Sequence, residues 1–153
     1  LEMQKALKKL QPLADVIVMA AAVSDLRNKS KEVSSKLRKE ILIKSFQENL
    51  EIVPDLLSEV NSRKSNNQVS LAFSALTGSD KEIQELGEAK RIKKSCDLLM
   101  ANPIDRLDQG FGNNPNGGFL LGPNKMVLKM EVQSKLKLAH KLLDEILLSR
   151  VKK

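Results

Sequence analysis

Ala14-Asp-Val-Ile-Val-Met-Ala-Ala-Ala-Val-Ser-Asp-Leu-Arg27 is the stretch that decides the fold. Its residues Val16 to Met19 form an unbroken apolar run, which is typical of a parallel strand buried on both faces. The alanines 20–22 leave room for a ligand to approach the backbone, although an ordinary turn after a core strand would explain them equally well. Polar residues, among them Asp25, follow where open α/β sheets bind ligands, beyond the carboxyl ends of their strands.

Strand and helix patterns alternate along the rest of the chain. The mainly apolar segments at 69–75 and 96–101 predict two more buried strands. The segments 119–121 and 126–128 predict a hairpin across a Gly-Pro-Asn-Lys turn. This alternation predicts a single α/β domain over residues 1–153, with a mostly parallel sheet, helices on both faces and an antiparallel hairpin at the edge.

Helical periodicity predicts which side chains face the core. Pro54 is expected to open a helix that runs to about Ser62, with Asp55 favouring the helix dipole. The helix at 81–94 is expected to turn Ile83, Leu86 and Ile92 inward. In the last helix, at about 134–150, the residues that repeat at helical spacing are Leu136, Ala139, Leu143, Ile146 and Leu147.

Composition limits the classes of partner. The net charge of +7 over 153 residues indicates an anionic partner, such as a nucleic acid, a membrane surface or a phosphorylated small molecule, unless it is only a solvated surface. Four Phe with no Trp or Tyr provide few platforms for stacking single-stranded bases. The chain has no apolar run long enough for a membrane span and no signal-peptide pattern. One cysteine excludes an intramolecular disulfide and fits a reducing compartment.

Most catalytic classes lack their residues. The one histidine, His140, lies within the last helix, no His/Cys set has zinc spacing, and Cys96 is expected to be a structural thiol. What remains is a set of cations and carboxylates at strand and loop ends: Asp25, Lys36, Asp55, Lys90 and Lys94.

These cations could bind a triphosphate from two sides. Lys90 and Lys94 are four residues apart and share one helical face, and a loop at 28–40 carries Lys36-Leu-Arg-Lys39. Charge neutralisation with a divalent ion would then drive the chemistry. The alternatives are a solvated basic surface at 36–39 and cations that only complement the helix dipole at 90–94.

Several segments, in order, resemble one family. Ala20-Ala-Ala-Val-Ser-Asp-Leu-Arg27 resembles the Ala-Ala-Val-Ala-Asp-Tyr-Arg signature of phosphopantothenoylcysteine synthetase, the C-terminal half of the bifunctional coenzyme A biosynthesis (DNA/pantothenate metabolism) flavoprotein. Residues 36–39 resemble the family motif Lys-x-Lys-Lys, and residues 53–57 resemble Asn-Pro-Asp-Ile. Residues 71–77 resemble Gly-Phe-Ala-x-Glu-Thr. Residues 89–102 resemble the Lys-x-x-x-Lys helix with its Asp-x-Ile-x-Ala-Asn strand, and residues 109–113 match the loop that follows.

The resemblance implies a three-layer, Rossmann-like or ribokinase-like fold and a ligase. Such a ligase activates 4′-phosphopantothenate with CTP and Mg²⁺ through an acyl-cytidylate and joins it to cysteine. It implies no flavin in this portion, a homodimer and a cytoplasmic location. Lys36 would be the catalytic residue, acting in the activation step. The residues that would bind the nucleotide are Ala21, Ala22, Asp25, Pro54, Asp55, Leu56, Leu57, Phe73, Lys90 and Lys94.

The chain also departs from the family pattern. A Gly-rich strand-turn and an Asn-x-Ser-Ser-Gly segment would precede Leu1, so the chain is expected to be the C-terminal portion of a synthetase domain and incomplete as an enzyme. Val53, Ala72 and Leu76 stand where the motifs have Asn, Gly and Glu. A divergent relative that binds nucleotide without catalysis is the main alternative, and a basic nucleic-acid-binding domain is the remaining one.

Overall fold

The structure, a computed structural model, describes residues 1–29, 50–107, 109–110 and 112–151. Its helices are α1 (Glu2–Leu10), α2 (Leu56–Ser62), α3 (Asp80–Lys93) and α4 (Lys135–Val151), with a 3-10 helix at Gln11–Leu13. Its strands are β1 (Val16–Met19), β2 (Leu26–Asn28), β3 (Leu50–Ile52), β4 (Val69–Leu76), β5 (Leu98–Pro103), β6 (Asn116–Gly122) and β7 (Met126–Gln133).

The chain divides into two compact units. The larger unit holds residues 1–20 and 57–153, and the smaller unit holds residues 21–56. The expectation of one domain over residues 1–153 stays a prediction.

The larger unit is built on a sheet with the strand order β1-β4-β5-β6-β7. β1 pairs with β4 in parallel, and β4 pairs with β5 in parallel. β6 and β7 continue the sheet as an antiparallel hairpin. The prediction of a parallel core with an antiparallel edge hairpin is confirmed.

Helices cover both faces of this sheet. Alternate residues of β4 point to opposite faces: Leu71 packs in a cluster with Leu138 of α4, whereas Ala72 packs in a cluster with Ile83 of α3. α3 begins with a capping box, in which the Ser79 hydroxyl and the Glu82 side chain each bond the other residue's backbone N–H. The three-layer α/β architecture follows from these two apolar layers.

Strand β1 is less buried than its sequence predicts. Ile17 and Met19 are buried, but Val18 between them is 47% exposed. β1 lies at the edge of the described sheet, and α4 packs mainly against β4, β6 and β7. The apolar run therefore predicted the strand correctly, but its burial on both faces was wrong for the described residues.

The inward faces of two helices were also predicted wrongly in part. In α3, Ile83 is fully buried, but Leu86 and Ile92 are 49% and 62% exposed. In α4 the buried side chains are Leu138, Leu142 and Ile146, four residues apart. Only Ile146 belongs to the predicted set, because α4 carries leucines around most of its circumference and periodicity fits more than one stripe. Helix α2 begins at Leu56, two residues after Pro54.

The smaller unit contains a two-stranded antiparallel sheet of β2 and β3. An ion pair joins Arg27 Nε to Glu51 Oε1 at 2.5 Å, and the Val53 N–H donates to the Asp25 carbonyl at 2.9 Å. The predicted basic loop with Lys36 lies outside the described residues.

Polar groups tie β4 and β5 together near the amino ends of these strands. The Asp97 carboxylate forms an ion pair with Lys64 and accepts from the Ser70 N–H at 2.8 Å. Beside it, the Asn61 amide donates to the Lys94 carbonyl at 2.8 Å. Cys96 is buried there as a free thiol, which agrees with the prediction of a structural cysteine.

The Cys96 thiol is expected to make stability fall at alkaline pH. Burial raises the pKa of this thiol from 9.0 to about 11, so the folded state keeps the proton to higher pH than the unfolded chain. The free energy of unfolding should therefore drop as pH rises from about 9 to 11, by up to about 2–3 kcal/mol. Urea unfolding of the wild type and Cys96→Ala at both ends of this window measures the difference. If the free energy of unfolding fell equally with pH in the wild type and in Cys96→Ala, the prediction would be contradicted.

Candidate functional site

Lys90 extends from α3 to strand β4. Ile83, Gly87 and Lys90 follow one another at spacings of four and three, so all lie on the helix face that packs on the sheet. Gly87 lets α3 approach the sheet closely, since a Cβ at this position would lie 2.5 Å from Leu121 Cδ1. The Lys90 ammonium donates to Ser74 Oγ at 3.0 Å. Lysine side chains in helices lean toward the helix N-terminus, which here brings the ammonium toward the carboxyl half of β4.

Lys94 is the C-cap residue that follows α3. Its N–H donates to the Lys90 carbonyl at 2.9 Å, and its own carbonyl accepts from the Asn61 amide. The backbone of the predicted cation pair is therefore fixed by hydrogen bonds at the end of the helix. The backbone hydrogen bond places Lys94 one turn after Lys90, whereas the shared face of the two side chains and their binding of phosphates stay predictions.

Phe73 lies on the other face of the sheet from Lys90. Its side chain packs partly buried against the cluster under α4, whereas its neighbour Ser74 faces α3 and bonds Lys90. Leu57 packs partly buried against the cluster on the α3 side. The structure thus places Lys90 and Leu57 on the α3 side of the sheet and Phe73 on the α4 side.

The remaining candidates belong to the smaller unit. Ala21, Ala22 and Asp25 are exposed and lie outside regular strands. Pro54 and Asp55 lie between β3 and α2, and Leu56 is the buried first residue of α2. Lys36 lies outside the described residues, so its catalytic role and the nucleotide-binding roles of these residues stay predictions.

Two loops at the carboxyl ends of β4 and β5 are joined by side chains that sequence reasoning missed. Asp105 accepts from the Gly78 N–H at 2.8 Å, and Arg106 donates to the Gly78 carbonyl at 2.9 Å and to Asp80 at 3.0 Å. The hydrogen bond from Gly78 lowers the pKa of the Asp105 carboxyl. Adjacent Asp-Arg residues after a strand are a weak sequence signal, because their partners lie on a different loop.

Metal-binding residues are not clustered in the part of the chain that the structure describes. No group of three or more His, Cys, Asp or Glu side chains there could hold a metal ion. Mg²⁺ usually binds through one or two carboxylates together with substrate phosphates and waters. Also within the described residues, no helix is long and apolar enough to cross a membrane.

Comparison with known proteins gives a match over nearly the whole chain. Residues 1–149 match the family model for the DNA/pantothenate metabolism flavoprotein C-terminal domain. The chain is similar to the Coenzyme A biosynthesis bifunctional protein CoaBC of Escherichia coli K12, with 29% identity over 153 residues that cover 95% of this chain and 35% of that protein. The same-named protein of Mycobacterium tuberculosis H37Rv is 27% identical over 150 residues, with the same coverage. The chain thus spans about a third of the length of these relatives.

Solved structures show the same fold. A crystal structure of the C-terminal domain of a CoaBC protein superimposes with a TM-score of 0.71 at 22% identity, covering 99% of this chain and 64% of that one. A DNA/pantothenate metabolism flavoprotein from Streptococcus pneumoniae gives a TM-score of 0.66 at 17% identity, covering 97% and 67%. The resemblance found in the sequence motifs is therefore confirmed, and the chain belongs to the DNA/pantothenate metabolism flavoprotein C-terminal domain family.

Proposed function

We propose that this chain acts in coenzyme A biosynthesis as part of a phosphopantothenate–cysteine ligase that uses CTP. The observation that carries the proposal is the family match over residues 1–149. The CoaBC relatives support it, because their name places them in coenzyme A biosynthesis. The family motifs that contain Asp25, Lys36 and Lys90 point to the synthetase reaction within that pathway.

The proposed reaction has two steps. A carboxylate oxygen of 4′-phosphopantothenate attacks the α-phosphorus of CTP, the bond to the β-phosphate breaks, and pyrophosphate leaves. The amine of cysteine then attacks the acyl carbon of the acyl-cytidylate, an amide forms as the amine loses its proton, and CMP leaves. Both leaving groups are phosphates, so positive charge near them lowers both barriers.

Cations of this chain are proposed to supply that charge. Lys90 and Lys94 would bind the phosphates from the end of α3, and Lys36 would act at the activation step. Mg²⁺ would neutralise further phosphate charge. Phe73, Leu57 and the residues at 21–25 and 54–56 would contact the nucleotide. A second copy of the chain and a cytoplasmic location complete the proposal and stay predictions.

A divergent relative that binds a nucleotide without catalysis is a second candidate function. Leu76 is 7% exposed and packs in the apolar cluster under α3, at the position where the family motif has a glutamate. The structure therefore uses this position for core packing. An enzyme whose chemistry needed that carboxylate would lose activity and could keep nucleotide binding.

Replacing Lys90 by glutamine is expected to weaken CTP binding by about 10- to 150-fold, because one charge-assisted contact to a phosphate contributes about 1.5–3 kcal/mol. Isothermal titration calorimetry with CTP and Mg²⁺ on the gene product that carries this chain measures the change. Lys93→Gln is the matched control, since it removes the same charge from the same helix at a position that faces solvent. Equal losses in both variants would indicate a general charge effect and contradict a phosphate contact by Lys90.

A further inference from the structure

The hydrogen bond between Ser74 and Lys90 joins a buried strand position to an exposed lysine. Ser74 is 8% exposed and lies on the α3 side of β4, whereas Lys90 as a whole is an exposed residue of α3. The 3.0 Å contact at the ammonium nitrogen holds the free end of a long side chain against the sheet. Without this contact, the Lys90 side chain could sample many rotamers in solvent.

The partner of Lys90 is neutral, and this matters for binding an anion. Among the described residues of its unit, no carboxylate forms an ion pair with Lys90, whereas two other cations of α3 have one: Arg91 pairs with Glu88, and Lys81 pairs with Glu85. A carboxylate partner would hold the ammonium but would also neutralise it. A serine hydroxyl holds it and leaves its full charge for a ligand.

We propose that Ser74 is a positioning residue, which holds the Lys90 ammonium in place for the phosphate groups of the nucleotide. This inference rests on the proposed function. Ser74 acts by ordering Lys90 before the ligand arrives, so that less side-chain freedom is lost on binding. Ser74 stands where the family motif has alanine, so the device belongs to this chain's own sequence.

Ser74→Ala is expected to weaken CTP binding about fivefold, which corresponds to one ordinary hydrogen bond. Ser74→Thr keeps a hydroxyl at this position and should stay within about twofold of the wild type. Ser70→Ala is the matched control, because it removes a buried hydroxyl from the same strand that bonds Asp97 rather than Lys90. It is expected to lower the melting temperature without changing CTP affinity.

A double-mutant cycle shows whether Ser74 acts through Lys90. In the background of Lys90→Gln, the further change Ser74→Ala should have no effect on calorimetric CTP affinity, since its target is gone. As a readout that needs no nucleotide, the ¹⁵N resonance of the Lys90 ammonium, assigned by its loss in Lys90→Gln, should broaden in Ser74→Ala and persist in Ser74→Thr. The inference would be overturned if the fold-losses of CTP affinity in the two single variants multiplied in the double variant. It would also be overturned if the Lys90 ammonium resonance were unchanged in Ser74→Ala.

Failure of the proposed function would give a different pattern. If the wild type binds no CTP, that function fails, and the same cycle is run with inorganic pyrophosphate as the probe. Pyrophosphate binding that weakens in Ser74→Ala only while Lys90 is present would still support positioning of Lys90 for an anion. Pyrophosphate binding that is absent, or that does not depend on Ser74, would overturn it.

Discussion

Replacing Gly118 with alanine is expected to lower the free energy of unfolding by about 4 kcal/mol, because it combines backbone strain with overpacking. Gly118 has a φ of +135°, which side chains with a Cβ rarely adopt. A Cβ there would lie 2.2 Å from the Ala101 carbonyl oxygen and 2.8 Å from Pro103 Cδ. Neither neighbour can move easily, since β5 is paired on both sides at the centre of the sheet.

Urea unfolding of the variant measures this loss, and Gly112→Ala is the control. Gly112 also has a positive φ, +65°, but a Cβ there would meet no atom within 4 Å. Gly112→Ala should therefore lower the free energy of unfolding by only about 1 kcal/mol, the cost of the left-handed conformation. If both variants lost the same free energy of unfolding, the close approach of β6 to β5 would make no contribution to the cost of Gly118→Ala, which would contradict the prediction.

Asp97→Ala is expected to cost about 3–5 kcal/mol, because it leaves one partner of a largely buried ion pair uncompensated. The Lys64 and Asp97 side chains are only 12% and 17% exposed. The same carboxylate also accepts from the backbone N–H of Ser70, so its loss removes a partner from the start of β4 as well. The effect should appear as a lower urea midpoint with an unchanged denaturant slope.

An exposed ion pair provides the control for this effect. Lys81 and Glu85 on α3 are 85% and 66% exposed, and Lys81→Ala should change the free energy of unfolding by less than about 0.5 kcal/mol. If Asp97→Ala were as mild as Lys81→Ala, the polar cluster at the amino ends of β4 and β5 would not hold these strands.

The order of strands and helices could be predicted from the sequence, but the orientation of the helices could not. The mainly apolar segments predicted the bounds of β4 and β5 to within two residues, because a strand buried on both faces needs a mostly apolar segment. Helix α4 has leucines on several sides, so that Leu143 and Leu147 fitted a stripe as well as Leu138 and Leu142 did. The choice depends on the sheet surface, which a single sequence does not contain.

The candidate site was accessible to sequence reasoning for a different reason. Motif resemblance identified the family, because Asp25, Phe73 and Lys90 occur in family order, whereas spacing alone indicated only cations at strand and helix ends. The contact of Lys90 with Ser74 could not be predicted, since it depends on which face of β4 meets α3. Strand alternation places Phe73 and Ser74 on opposite faces of β4, but it does not indicate that Lys90 contacts the face of Ser74.

Cysteine-dependent release of CMP tests the central claim most directly. The gene product that carries this chain is incubated with CTP, Mg²⁺ and 4′-phosphopantothenate, with and without cysteine, and nucleotides are separated by chromatography. The ligase proposal predicts that CMP accumulates in equal amount to the amide product, and only when cysteine is present. CTP that binds but stays intact with all substrates present would contradict the ligase and support the non-catalytic relative.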